Sequence, residues 1–186
     1  MKRFVDLAIV LLLGLLFSAL FIVISIVIKL TSKGSVLYWS DRVGRNNVTF
    51  RMPKFRTMKM GTPAVATHLL TDPKSVLTSP GEFLRKSSLD ELPQLWCILK
   101  GDMSLVGPRP ALFNQDGLIA LRTKKGVHEI LPGLTGWAQI NGRDELSIHQ
   151  KVALDVEYVQ KQSFFFDIII LWLTFLKVLL RAGVSH

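Results

Sequence analysis

Asp90 and Glu91 stand side by side in "SSLDELPQL", residues 87–95 of a 186-residue chain whose formal net charge is +9. Successive helical residues point about 100° apart, so these carboxylates cannot face each other over one shared proton. They can take separate tasks, one attacking and the other holding a metal. Ser88 and Glu91 match a capping box that would start a helix at Leu89, but Pro93 would then lack an N–H the helix needs. Starting the helix with Asp90 as N-cap moves Pro93 into the first turn, where amides have no helical partner. A helix N-terminus keeps an Asp ionised and offers amides to an incoming phosphate, the setting of an aspartyl-phosphate nucleophile. The same placement has a purely structural reading, in which both acids simply complement the helix dipole. Arg109, between prolines in "GPRP", suits bidentate phosphate recognition. Arg85 and Arg143 sit in similarly turn-rich surroundings.

Other chemistries fit poorly. Cys97 is the single cysteine and lies in the apolar run "LWCILK", which points to packing in a reduced compartment. His68, His128, His149 and His186 show no zinc spacing. There is no G-x-G-x-x-G and no G-x-x-x-x-G-K-[ST], so phosphate recognition must come from arginines and helix ends. The basic balance favours a polyanion, yet no basic helix, RNA-binding aromatic pattern or zinc finger supports nucleic acid.

The elements that must position these residues are unevenly distributed. Apolar content is 49% and mean hydropathy is +0.35, and the excess sits in residues 7–28 and 164–181. As a helix, residues 7–28 would extend ~33 Å, enough for one membrane crossing. Lys2 and Arg3 precede this segment and Lys29, Lys33, Arg42 and Arg45 follow it, so both flanks look cytoplasmic. A re-entrant hairpin, bent near Gly14 or Ser18, satisfies both flanks where a spanning helix cannot, and flanks alone leave the two open. The segment is too long for a cleaved signal peptide and lacks a small-residue cleavage site. In the C-terminal segment Asp167, Thr174, Lys177 and Arg181 form a narrow stripe on an otherwise apolar helix. At a head-group boundary that stripe would stay wet while the remainder inserts; a core helix with one wet edge is the alternative. Between the ends, residues 34–58 read as short strands around a Gly-Arg-Asn-Asn turn. Residues 61–81 read as an irregular loop with at most one helical turn, and an Asn-Gly turn follows "WAQI".

"RKSSLDELPQLWCILKGDMSLVGPRP" followed by "PGLTGWAQINGR" resembles the catalytic core of the monotopic bacterial phosphoglycosyl transferases. The likeness runs from "KRFVD" to "RAGVSH". It implies an α+β fold with a re-entrant membrane helix over residues 1–30. A cytoplasmic catalytic domain would span 31–186, carrying interfacial helices that include about 164–181. The implied reaction is transfer of a sugar-1-phosphate from a UDP-sugar to undecaprenyl phosphate, releasing UMP. It would take place at the cytoplasmic face of the bacterial inner membrane, as the first membrane step of capsule, O-antigen or glycoprotein glycan assembly. By the same resemblance Asp90 is the nucleophile of a covalent phosphosugar intermediate. Glu91, with Asp90, binds Mg²⁺, and Arg85, Gln94, Arg109 and Arg143 line the substrate site. Mg²⁺ suits such a pair independently, because it needs only one or two carboxylates plus substrate phosphates. The loop "GTPAVATHLL" resembles members that use N-acetylated 6-deoxy sugars, and the short N-terminal region resembles the minimal form. Downstream glycosyltransferases are implied partners. One departure stands out: the family's Ser-Pro pair at the membrane bend is Ser18-Ala19 here.

Two other functions compete. A membrane-anchored scaffold would bind anionic lipid or a partner protein, with Asp90 and Glu91 only capping a helix. A metal-dependent glycosyltransferase would use Asp155 and Glu157 of "DVE" as its metal motif and release UDP.

Overall fold

The computed structural model describes residues 2–63, 72, 75–142 and 145–180. Arg143, Arg181 and residues 64–71, 73 and 74 of the 61–81 loop therefore lie outside the described residues.

The first apolar segment is two helices, α1 (Lys2–Leu16) and α2 (Ser18–Thr31), bent by 60° at Phe17. The proline that the resemblance implies is replaced by Ala19, and the Ser18 hydroxyl donates to the Leu15 carbonyl at 2.8 Å. Such back-bonding bends helices. Gly14 lies inside α1, ahead of the break. Among the described residues no single helix is long and apolar enough to cross a membrane, whereas the bent pair together meets that length and composition.

Alternating β-branched, aromatic and polar residues form the antiparallel hairpin β1 (Leu37–Val43) and β2 (Thr49–Phe55). Its turn carries Asn46 and Asn47 at φ 55° and 59°, a left-handed conformation that asparagine tolerates. The chain continues through α3 (Gly81–Lys86), a 3-10 helix (Leu89–Gln94), α4 (Leu95–Lys100), β3 (Ser104–Val106) and β4 (Ala111–Leu112). It then forms α5 (Asp116–Lys124), a 3-10 turn (Val127–Glu129), β5 (Gly133–Thr135), α6 (Trp137–Ile140), α7 (Ile148–Lys161) and α8 (Phe164–Leu180). β4 adds to the free side of β1, giving the order β2-β1-β4, and β3 pairs with β5 in parallel. The mixture is α+β, as expected. β3 and β5 approach so closely that a Cβ on Gly133 would lie 2.1 Å from the backbone nitrogen of Gly107.

Met52, Cys97, Ile98, Met103, Leu105, Val106, Tyr158 and Ile170 build the main core, and Val10 of α1 belongs to it. Ile24 and Ile28 of α2 pack separately against Phe55 and Leu84. Both limbs of the bent pair are thus docked on the domain. At the start of α1, Arg3 donates to the carbonyls of Ile98 and Leu99 at the end of α4, and Asp6 accepts from the buried Ser104 hydroxyl at 2.7 Å. Cys97 is fully buried, and burial pushes its thiol up to about 11, in keeping with a packing role.

Two local expectations are corrected. Asp90 is not an N-cap: Ser88, in the left-handed conformation at φ 57°, precedes the 3-10 helix, and no side-chain capping bond forms there. The capping box that does form belongs to Ser147 and Gln150, at the start of α7. Asp167 and Thr174, the first two members of the polar stripe of α8, face inward rather than toward water. Asp167 is buried and accepts from Lys2 and, at 2.8 Å, from the Tyr158 hydroxyl, while Thr174 and Thr135 share a hydrogen bond of 2.7 Å. These two side chains turn inward because their partners lie on α1, α7 and β5, while Phe165, Ile168, Ile169, Trp172, Phe175 and Leu179 are exposed on the outer face.

Candidate active site

The hairpin and the 3-10 helix bring the chemistry together. Strand alternation places Tyr38, Ser40 and Arg42 on one face of β1, and the register sets Lys54 opposite Tyr38 and Met52 opposite Ser40. Lys54 and Arg42 thereby share a face. Arg109 arrives just ahead of β4, whose Leu112 pairs with Arg42.

Glu91 is the hub of this cluster. Its Oε1 accepts from Lys54 Nζ at 2.9 Å and from Arg109 Nη2 at 2.6 Å, and its Oε2 accepts from Arg109 Nη1 at 3.4 Å. Its side chain is 12% exposed, so these charge-assisted bonds are largely shielded from solvent screening. Asp90 is buried beside it. Burial raises the Asp90 pKa, opposed in turn by Lys54, while Glu91 adds to the rise and Arg85 and Arg109 oppose it. Burial also lowers the Lys54 pKa, with Glu91 pulling the other way. Arg42 is brought down to about 10, by burial and then by the like charge of Arg109.

Of the residues singled out from sequence, Asp90, Glu91 and Arg109 come together, and Arg85, in the last turn of α3, adds its charge to the field at Asp90. Gln94 is buried. In a 3-10 helix residues three apart eclipse, which sets Gln94 beneath Glu91. Its Nε2 has no hydrogen-bond partner among the described residues. Sequence reasoning missed Lys54 and Arg42 as members of the site. The available signal was a lysine inside the strand "RMPKF", on the strand face that also carries Met52.

No group of three or more His, Cys, Asp or Glu side chains suited to a metal occurs among the described residues. The donor set is Asp90 and Glu91, and the latter already accepts from two cations. That set fits a hard cation such as Mg²⁺ only where substrate phosphate oxygens complete its shell, which is how Mg²⁺ is commonly held. The "DVE" alternative fails on geometry. Asp155 is buried against Arg122, whereas Glu157 bonds Trp137 Nε1 at 2.9 Å and Lys161 at 2.6 Å.

The cluster is one carboxylate held in a basic pocket beside a second that is already paired, an arrangement suited to phosphoryl chemistry. The bacterial sugar transferase family model matches residues 1–181. The uncharacterized sugar transferase EpsL of Bacillus subtilis (strain 168) is 42% identical over 100% of this chain and 91% of its own length. The exopolysaccharide production protein ExoY of Rhizobium meliloti (strain 1021) is 40% identical over 91% of this chain and 81% of its own. The UDP-glucose:undecaprenyl-phosphate glucose-1-phosphate transferase of Escherichia coli (strain K12) is 39% identical over 95% of this chain, which spans 40% of that longer protein.

Proposed function

Because this chain belongs to the bacterial sugar transferase family and is a phosphoglycosyl transferase, we propose that it moves a sugar-1-phosphate from a UDP-sugar to undecaprenyl phosphate. An Asp90 oxygen attacks the phosphorus next to the sugar. The bond to the bridging oxygen breaks, and UMP leaves with that oxygen and its electron pair. An oxygen of undecaprenyl phosphate then attacks the same phosphorus, breaks the acyl-phosphate bond and restores the Asp90 carboxylate. Protons balance without a general base, since both nucleophiles are anions.

The observation that carries this reading is the placement of buried Asp90 among Lys54, Arg85 and Arg109, with Glu91 bonded to two of them. Those cations favour the ionised nucleophile and oppose charge building on the transferring phosphoryl group. Mg²⁺, held by Glu91 and Asp90 with donor phosphates, would supply further charge neutralisation there. An N-acetylated 6-deoxy sugar is the proposed donor, on the likeness of the 61–70 loop.

The cytoplasmic face of the inner membrane is the proposed location, with α1 and α2 re-entrant. Its support is that the start of α1 and the end of α2 both dock on one domain, while Leu11, Leu12, Leu15, Leu16, Ile22 and Val23 around the bend are exposed. A cysteine appended ahead of Met1 and one replacing Arg45 should both label from the cytoplasmic side; opposite-side labelling refutes re-entry.

The deciding reaction test supplies Mg²⁺, undecaprenyl phosphate and a panel of UDP-sugars, scoring UMP against UDP. UMP release that Asp90→Asn abolishes, together with loss of a trapped phosphosugar adduct, is the expected result. UDP as product, or full turnover by Asp90→Asn, overturns the proposal.

A further inference from the structure

The Gly-Pro-Arg-Pro segment has an unusual backbone problem. Pro108 and Pro110 have no N–H, so the segment cannot be fixed by a regular strand ladder. Its successive carbonyls are held individually. The Pro108 carbonyl accepts from the Gly133 amide at 2.9 Å. The Arg109 carbonyl accepts from Arg122 Nη1 at 2.7 Å, and the Pro110 carbonyl accepts from Arg42 Nη1 at 3.2 Å.

Both arginines are themselves aimed. Arg122 donates through Nε and Nη2 to Asp155 Oδ2 at 2.9 and 2.7 Å, and this pair is deeply buried, with side chains 11% and 2% exposed. Arg42 donates through Nε to Ser40 Oγ at 3.1 Å, while its own backbone pairs with Leu112 two residues past Pro110. We propose that Arg42 and Arg122 are positioning residues, clamping the carbonyls on either side of the Arg109–Pro110 bond so that the Arg109 side chain is presented to Glu91 and the donor phosphates. The proposal rests on the reaction proposed above for its kinetic arm only.

The guanidinium fork is what the role needs. Arg42 must reach a carbonyl and a hydroxyl together, and Arg122 a carbonyl and a carboxylate; a lysine ammonium is a point charge on a flexible stem. Displacement of a charged contact by about 1 Å can lower turnover ~10²-fold. A general structural role would lower stability without caring whether Arg109 is present, and this separates the two ideas.

The test is a double-substitution cycle with Arg42→Lys and Arg109→Lys, repeated with Arg122→Lys, scored as kcat/KM for UMP release. Arg42→Lys and Arg122→Lys should each cost about tenfold or more in the parent and less than about twofold once Arg109 is Lys. Equal losses in both backgrounds refute the clamp. Amide exchange at Arg109, Ala111 and Leu112 is measured in parallel on the full chain in detergent, using the same conservative variants and Arg42→Gln. Exchange about tenfold faster at these amides, with α7 unchanged, supports the clamp, and unaltered exchange overturns it. The exchange arm needs no turnover. An inactive parent enzyme therefore counts against the proposed reaction, while the exchange result still decides the clamp.

Discussion

Lys54, inside a β-strand, sits 2.9 Å from Glu91 in a 3-10 helix thirty-seven residues further along the chain. The contact ties the hairpin to the acidic pair and places one positive charge close enough to act on Asp90 as well. Burial and this charge pull the Asp90 carboxyl in opposite directions.

Removing the charge leaves burial less opposed. Lys54→Met should therefore move the acid limb of kcat/KM to higher pH, because the ionised nucleophile appears only above the Asp90 pKa and Lys54 holds that pKa down. At neutral pH a loss of roughly 10²-fold in kcat is expected, as for loss of one donor to a developing charge. An acid limb that stays in place or moves down refutes this electrostatic account.

Asp90→Asn should abolish turnover without lowering stability. The folded pKa of Asp90 is raised above its ordinary 3.8, so its contribution to stability is fully present below that value and is lost as pH rises through the raised pKa. Asparagine carries no charge to desolvate. Thermal melting at neutral pH should give a midpoint for Asp90→Asn at or above that of the parent, with the gap closing toward pH 4. A clearly lower midpoint would restore the capping role that the missing side-chain bond at this helix start argues against.

Gly133→Ala should prevent correct folding, whereas Gly14→Ala should not. An added Cβ at Gly133 meets the backbone of Gly107 at 2.1 Å, and neither strand can yield without parting β3 from β5. At Gly14 nothing lies within 4 Å, and alanine in a helix gains about 0.5–1 kcal/mol over glycine. Yield and melting of the two purified variants should diverge accordingly.

The outer face of α8 supplies a membrane prediction. Trp172 and Phe175 stack with ring centroids 5.8 Å apart on a surface 58% and 56% exposed. Trp172→Glu with Phe175→Glu should shift the protein from the membrane pellet toward the soluble fraction, since each charge must otherwise enter an apolar boundary. Thr174→Val faces Thr135 instead and should leave sedimentation unchanged.

Sequence reasoning found the acidic pair, Arg109, the hairpin and the α8 boundaries, because each leaves a local trace: adjacent carboxylates, proline punctuation, period-two alternation, a long apolar run. It misjudged which way Asp167 and Thr174 of the α8 stripe face. Spacing gives a stripe but not its direction, which depends on Lys2 and Tyr158 from distant parts of the chain. Lys54 was overlooked for the same reason, since its partner is set by the packing of β2 against the 3-10 helix. The helix start at Asp90 failed because Pro93 was reconciled with an α-helix, when a 3-10 helix accommodates it differently.

The elbow at Phe17 also bears on how tolerant the bent helix pair is to change. Phe17 N–H still bonds the Leu13 carbonyl and Phe21 N–H still bonds Phe17, both at 2.8 Å. The carbonyl of Leu15 receives a hydroxyl instead of being left bare. An unmet backbone group in hydrocarbon costs several kcal/mol, so each of these bonds lowers the cost of placing such a bend among lipid tails. With alanine rather than proline at position 19, the Ser18 hydroxyl is the group that meets the Leu15 carbonyl at the elbow, so a Ser18→Ala change takes away that carbonyl's donor while leaving the helix composition almost unaltered.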